Sequence, residues 1–301
     1  MLYVRLQRRM SLVGLNARTK TANFVREFLQ TRGFEEFIPQ LMAKTQPTEP
    51  AIFQFKADNF YLATSPEGFL KKAMAEGAGN CFAISHCFRT MEGENYLHRP
   101  DFLMAEFYLK NANYKNVMQI LEELISKFLD TKLKIQSVSI LDLWQKYLKV
   151  DLRTLNFEEF AKVRGYNPLG ATWEQLFYQI HINEIEKYYP SEPFFLVDFP
   201  AKISPLCKAR ESDPKIAERF ELLINKIELA DGNSENFNYL EVERMMKDEC
   251  FKRNTPLDKG FINALKKLQG ESWAGVGLGL DRLAMLTYNI KDIGDITGDN
   301  K

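Results

Sequence analysis

The chain has 301 residues, of which 45% are hydrophobic and 27% charged, so it is long enough to form one large globular domain with a substantial core. Its 40 basic and 40 acidic residues balance, which excludes a global charge that would attract a polyanion such as nucleic acid. No window reaches the roughly 20 apolar residues that span a membrane. The four cysteines lack the spacing of a zinc site. No apolar run of signal-peptide length follows the N-terminal arginines, so a reducing cytoplasm is expected.

The N-terminal part of the chain is predicted to form a helix followed by a β-hairpin. Apolar residues at helical spacing predict a helix over residues 18–32, which Gly33 ends. Two apolar runs, at 81–88 and 101–109, predict the paired strands of a hairpin whose polar loop is 90–100.

The remainder alternates between helical and strand-like segments. Residues 116–187 are mostly helical in pattern, and the tail from 294 to 301 is polar and expected to fray. Strands are expected at 194–199, 220–224, 227–230 and 273–279, with helices at 239–254, 259–267 and 280–288. This order predicts an α+β fold, an antiparallel β-sheet flanked by helices. We expect a single domain over residues 1–301, with a mostly helical insertion at about 114–190.

The hairpin carries the first group of candidate site residues. Arg89 follows the first strand, where a rigid backbone would hold its guanidinium against an α-phosphate and a carboxylate that is being activated. Glu92 or Glu94 would accept a hydrogen bond from adenine, His98 would meet terminal phosphates, and Phe102 would stack on the base. The same pattern also fits an ordinary exposed hairpin with a charged tip.

A glycine-rich strand carries the second group. Gly275, Gly277 and Gly279 alternate along one face, where missing side chains let a flat ligand such as ATP approach the backbone. Arg282 follows at the start of a helix and would face the γ-phosphate or stack on adenine. A close-packed crossover with a surface arginine is the alternative interpretation, because this pattern alone is weakly specific.

Acidic residues form the third group. Glu221 and Glu228 offer the carboxylate oxygens that Mg²⁺ prefers and would hold this ion against nucleotide phosphates. Burial of acids in an apolar strand pair requires cationic partners, which a cationic substrate would supply. Isolated acids at sheet edges are, however, commonly only solvated.

A pocket for ammonium groups is predicted from four further residues. Glu106, Tyr108 and Glu235 are candidates to bind a side-chain ammonium, and Glu67 is a candidate to bind an α- or β-ammonium.

The order of these residues resembles the class II aminoacyl-tRNA synthetases. Residues 81–108 and 275–282 resemble motifs 2 and 3 of that family, and the segment from about 20 to 293 looks like the lysyl-tRNA synthetase catalytic core. The resemblance implies that ATP, with Mg²⁺, activates a lysine-like amino acid as an aminoacyl-adenylate. It also implies a homodimer through motif 1, whose helix leads to Pro39.

Within that family the chain is most similar to truncated paralogues, the elongation factor P–(R)-β-lysine ligases. Segments 219–232 and 254–258 resemble these ligases more than the tRNA enzymes. Lysyl-tRNA synthetases carry an N-terminal OB-fold that reads the anticodon, for which this sequence leaves no room before motif 1. The resemblance therefore implies elongation factor P as the acceptor and argues against tRNA.

Two departures from the family pattern lie in the expected amino-acid site. Asp231 stands where Asn is usual, near the expected substrate carboxylate, and Gly277 stands where the protein-modifying ligases tend to have Ala. The amino acid is thus lysine, β-lysine or another cationic amino acid.

Two alternative functions remain open. One is an enzyme that uses tRNA or a small amine such as ammonia as acceptor, and the other is a non-catalytic paralogue that binds an amino acid or nucleotide. Retention of Arg89, Arg282 and the metal acids argues against the last alternative.

Overall fold

The fold begins with a long helix that packs on the central sheet. The computed structural model describes residues 12–91, 93 and 95–298. Helix α1 (Leu12–Gln30) buries Ala17 and Val25 along one face, and Gly33 follows it with a φ of 78°, a conformation that favours glycine. The predicted helix is present, and it begins earlier than residue 18 because its first turns are also packed.

An eight-stranded sheet forms the centre of the molecule. The described residues form thirteen strands, of which eight belong to this sheet. The thirteen are β1 (Glu35–Glu36), β2 (Met42–Ala43), β3 (Lys56–Ala57), β4 (Phe60–Leu62), β5 (Cys81–Phe88), β6 (Asp101–Lys110), β7 (Gln136–Ser139), β8 (Phe194–Val197), β9 (Ala209–Arg210), β10 (Asp213–Ala217), β11 (Arg219–Ile224), β12 (Ile227–Ser234) and β13 (Trp273–Gly279). The large sheet has the order β1–β5–β6–β13–β12–β11–β8–β7. Its interior pairs are antiparallel, and the pairs at its two edges are parallel.

Helices cover both faces of this sheet. After α1 they are α2 (Glu67–Ala75), α3 (Tyr114–Phe128), α4 (Ile140–Leu148), α5 (Phe157–Val163), α6 (Trp173–Ile180), α7 (Tyr239–Arg253), α8 (Lys259–Leu268), α9 (Leu280–Thr287) and α10 (Gly294–Thr297). Because side chains alternate along a strand, Phe107 and Val276 face the core under α1, α3 and α9, while Glu106 and Gly277 face the other side. On that other side α2, α7 and α8 cover one end. No helix in the described part of the chain is long and apolar enough to cross a membrane.

The segment between β7 and β8 packs its helices around a second hydrophobic cluster, to which β8 also contributes. Helices α4 and α6 bury Trp144 and Phe177 there. The helical pattern predicted up to residue 187 changes after Ile180 into a π turn and a 3-10 turn. His181 lies at this change, where Trp144 Nε1 donates to its Nδ1 at 2.9 Å. Burial lowers the pKa of His181 to about 4, so it is a neutral core histidine.

The C-terminal segment packs against α1 instead of fraying. Helix α10 buries Gly294 and Ile296 in a cluster that includes Ala17. A Cβ at Gly14 would overlap the carbonyl oxygen of Asp295, so the two segments are in close contact. The prediction of a frayed tail is therefore wrong for Gly294–Thr297, and residues 299–301 lie outside the described residues.

Candidate active site

The sheet register brings four predicted site residues from distant parts of the chain into one row. Glu106 lies opposite Gly277, Gly277 opposite Asp231, and Asp231 opposite Glu221. Neighbouring strands are about 4.8 Å apart, so side chains in such a row are direct neighbours. The row lies on the face of the sheet that the main core leaves uncovered.

A cleft of about 600 Å³ opens on this face. Most of the predicted site residues line it: Glu67, Arg89, His98, Phe102, Glu106, Tyr108, Glu228, Asp231, Glu235, Gly277, Gly279 and Arg282. Glu221 belongs to the same row of the sheet but is not part of the lining. Glu92 and Glu94 lie outside the described residues, so their contact with adenine stays a prediction.

Arg89 is supported by backbone and by an aromatic ring. Its Nε donates to the carbonyl oxygen of Thr64 at 3.1 Å, and its guanidinium carbon lies 5.2 Å from the ring centroid of Phe102. The ring predicted to stack on the base therefore also supports the arginine, as a cation–π contact does.

Arg282 is in direct contact with His98. Its Nη1 donates to the carbonyl oxygen of Glu228 at 2.9 Å, and its Nη2 donates to Nε2 of His98 at 2.8 Å. Both residues were predicted to meet phosphates, and their contact puts them in the same part of the cleft. A polyanion bound there would meet the guanidinium of Arg282, which its contacts with Glu228 and His98 already hold in place.

The three glycines of β13 have different neighbours. A Cβ at Gly275 would overlap the ring of Tyr108, so this glycine accommodates a protein side chain rather than a ligand. A Cβ at Gly277 would lie 3.2 Å from the sulfur of Met104, which is tight but adjustable. At Gly279 the nearest atom would be 3.6 Å away, so the backbone there is open to the cleft.

A lysine of the protein itself lies between two acids of the predicted ammonium pocket. Lys71 is fully buried on α2, and its Nζ forms ion pairs with Glu67 and, at 2.6 Å, with Glu235. Burial lowers its pKa, but the two carboxylates raise it by more, so Lys71 stays charged. Lys71 was not among the residues predicted from the sequence, although its position four residues after Glu67 on a helix indicates the pair.

The pocket nevertheless has more carboxyl groups than cations around Lys71. Tyr108 donates its hydroxyl to Glu106, and burial together with the charge of Glu67 raises the pKa of Glu106 well above its usual range. Burial and Glu67 also raise the pKa of Glu235 to about 7, although Lys71 lowers it. A further cation in the pocket would let these carboxyl groups ionise, so the arrangement suits a substrate that carries ammonium groups.

Asp231 is paired with an arginine that the sequence analysis did not single out. Arg219 donates to the two carboxylate oxygens of Asp231, from Nη2 at 2.7 Å and from Nε at 3.1 Å. Its guanidinium also lies 4.4 Å from the ring centroid of Phe199. The extra carboxylate at position 231 is thus balanced within the protein, and repulsion of a substrate carboxylate is reduced.

Glu221 and Glu228 have the chemistry of a Mg²⁺ ligand pair. Burial and the charge of Glu228 raise the pKa of Glu221 well above its usual range, although Arg219 donates to it at 3.0 Å. A divalent cation beside Glu221 would favour the ionised form of its carboxyl group. No group of three acidic, cysteine or histidine residues suited to a metal occurs among the described residues, so phosphate oxygens would have to complete the coordination.

Comparisons with known proteins identify the family. Residues 1–298 match the sequence profile of the tRNA synthetases class II (D, K and N). An elongation factor P–(R)-β-lysine ligase homolog of Aquifex aeolicus is 31% identical over 276 residues, which cover 88% of this chain and 92% of the relative. The elongation factor P–(R)-β-lysine ligase of Baumannia cicadellinicola is 31% identical over 322 aligned residues. That match covers 96% of this chain and 95% of the relative.

A second group of relatives is named for a different acceptor. A lysine–tRNA ligase of Campylobacter jejuni is 31% identical over 316 residues, which cover 93% of this chain but 62% of the relative. The predicted family resemblance, the α+β class II synthetase fold and the ligase class are confirmed by these matches. The chain belongs to the class II tRNA synthetase family of the D, K and N types.

Proposed function

We propose that this protein uses ATP to activate lysine or β-lysine as an aminoacyl-adenylate and transfers the acyl group to a lysine of elongation factor P. The observation that carries the proposal is an excess of carboxyl groups over cations around Lys71, in the cleft that Arg89 also lines. Glu67, Glu106 and Glu235 share one resident cation, Lys71, so a diamino acid would supply the missing positive charge.

Activation requires attack of the amino-acid carboxylate on the α-phosphorus of ATP, with pyrophosphate as the leaving group. Arg89 is supported so that its guanidinium can bridge the carboxylate and the α-phosphate, and Arg282 with His98 would hold the terminal phosphates. Such fixed donors stabilise charge that develops in the transition state. Mg²⁺, held at Glu221 and Glu228, would supply countercharge to the phosphates.

Transfer to elongation factor P is supported by the relatives named for that reaction. The chain covers 92% of the Aquifex relative and 95% of the Baumannia relative. The formal net charge of zero also gives no broad electrostatic surface for tRNA. The lysine–tRNA ligase relatives support tRNA as the alternative acceptor.

Two assays test this proposal. Lysine or β-lysine should drive ATP–pyrophosphate exchange with Mg²⁺ in the absence of tRNA. Incubation with ATP, the same amino acid and elongation factor P should then add one aminoacyl mass to the factor, while bulk tRNA stays uncharged. Absence of exchange with every cationic amino acid would reject activation, and tRNA charging beside an unmodified factor would favour the alternative acceptor.

A further inference from the structure

One carboxylate in the cleft has none of the roles assigned so far. Glu49, on the loop between β2 and β3, is half-buried and lines the cleft. Within residues 12–91, 93 and 95–298 its carboxylate forms no hydrogen bond and no ion pair. Glu67 and Glu235, by contrast, share the ammonium of Lys71. Glu49 is therefore free to bind or deprotonate a group that enters the cleft.

The loop that carries Glu49 has a fixed backbone. Arg253, at the end of α7, donates from Nη2 to the carbonyl oxygens of Glu49 at 2.7 Å and Pro50 at 3.2 Å. Thr48 is buried and Ala51 is exposed, so Glu49 lies where the loop passes from the interior to the surface. Glu49 thus lines the cleft from a loop whose backbone Arg253 holds in place.

The charges around Glu49 tune it for proton transfer near neutral pH. The groups that face it are Glu67, Arg89, Lys71 and Asp231. Burial, followed by the charge of Glu67, raises the pKa of Glu49 to about 7, although Arg89 and Lys71 lower it. A general base is most effective when its pKa lies near the working pH. Glu174 also lines the cleft, but it lies on the insertion and faces Arg219.

We propose that Glu49 is the proton acceptor for the amine that attacks the aminoacyl-adenylate, an inference that rests on the proposed function. The ammonium of an acceptor lysine has a pKa of about 10.4, so at neutral pH it is almost entirely protonated and cannot act as a nucleophile. Arg89, which would hold the reacting carboxylate, lines the same cleft as Glu49, and the charges of the two side chains interact.

The step balances in protons and electrons. Glu49 takes one proton from the acceptor ammonium, and the freed nitrogen forms a bond to the carbonyl carbon of the adenylate. The bond between that carbon and the phosphate oxygen breaks, and AMP leaves with the electron pair. The second proton on nitrogen passes to solvent, which yields the amide.

Single-turnover transfer from preformed adenylate to elongation factor P tests the role of Glu49. Glu49→Gln should lower the transfer rate by about 100-fold or more relative to the rate of adenylate formation, as expected for loss of a general base. Glu49→Asp should recover part of the rate because it keeps a carboxylate. Glu211→Gln, at a well-exposed acid outside the cleft, is the matched control.

The pH dependence and a second nucleophile separate proton transfer from a structural effect. The wild-type transfer rate should level off above about pH 7, while that of Glu49→Gln should keep rising about tenfold per pH unit as free amine accumulates. Hydroxylamine, which is already neutral at pH 7, should discharge the adenylate of both proteins at similar rates.

Each other outcome has a distinct meaning. An equal transfer rate and pH profile in Glu49→Gln would overturn the inference. Parallel loss of transfer, pyrophosphate exchange and hydroxylamine reactivity would also overturn it, because Glu49 would then serve amino-acid binding or folding. A wild-type enzyme that forms adenylate but transfers to no amine would contradict the proposed function instead.

Discussion

Lys71 occupies a position where a substrate ammonium was expected, between Glu67 and Glu235. Its three neighbouring acids come from α2, β6 and the segment after β12, so the pocket exists only in the folded chain. The sequence analysis recognised the acids but not the resident cation, because a single lysine in a helical pattern is most often solvated. Arg219 was missed because its partner Asp231 lies on the neighbouring strand, and the local sequence does not show that contact.

Removal of the Lys71 charge should destabilise the protein. Lys71→Met leaves Glu67 and Glu235 buried without a cation, and breaking a buried ion pair in this way costs about 3–5 kcal/mol. Urea denaturation should show this loss, and Glu235→Gln in the same chain should restore part of it. Lys267→Met, which removes an exposed ion pair with Glu76, is the control and should have little effect. Equal stability of Lys71→Met and wild type would show that the ion pairs do not form.

Binding of lysine should strengthen as the pH rises through about 7. The pKa of Glu235 is raised from 4.5 to about 7, so below that pH the carboxyl is neutral and attracts an ammonium less. The raised pKa also means that the free protein loses stability as pH rises from 4.5 towards 7, and a bound cation opposes that loss. The KM for lysine should therefore fall from about pH 6 to about pH 8, and the increase in Tm caused by lysine should grow.

Glu235→Gln provides the control for this pH dependence. The variant should raise the KM for lysine much more than the KM for ATP, and its lysine KM should change little with pH. A pH dependence that persists unchanged in the variant would place the titrating group elsewhere in the cleft.

At the scale of elements, the strands that build the site were predictable and the edges of the fold were not. β13 was predicted with its observed bounds because its alternation and its flanking turns are strong local signals. β7 was missed, since its polar residues form an edge strand that is held by backbone pairing to β8. The order of the helices and strands with clear sequence patterns was sufficient to predict the fold class.

Packing between distant segments also explains the error at the C-terminus. Residues 294–297 have a polar local sequence, and their helix forms because Ile296 enters a cluster with Ala17 and Met285. A contact between the two ends of a chain leaves no periodic pattern within either segment. The same limit applies to the loop at Glu49, whose backbone is held by Arg253 from a distant part of the chain.

At the scale of the whole molecule, an apolar surface remains exposed beside the first helix. Ile38 is 89% exposed, and Leu41, Met42 and Phe60 lie exposed in the adjoining segment. Scattered exposed apolar residues are normal, but several in one region mark a candidate interface. This region follows the helix that the sequence analysis assigned to dimer formation, and Pro39 lies within it.

We therefore expect the protein to be a dimer that a single charge at this surface disrupts. Light scattering of the wild type should give twice the chain mass of 35.0 kDa. Ile38→Asp should shift the protein towards the monomer, because a specific interface of roughly 800 Å² per partner does not tolerate an unpaired charge in its core. Leu169→Asp is the matched control, since Leu169 is 88% exposed but lies in the helical segment between β7 and β8, and it should leave the dimer intact. A monomeric wild type would refute the dimer, and dissociation by Leu169→Asp alone would place the interface on the helical segment.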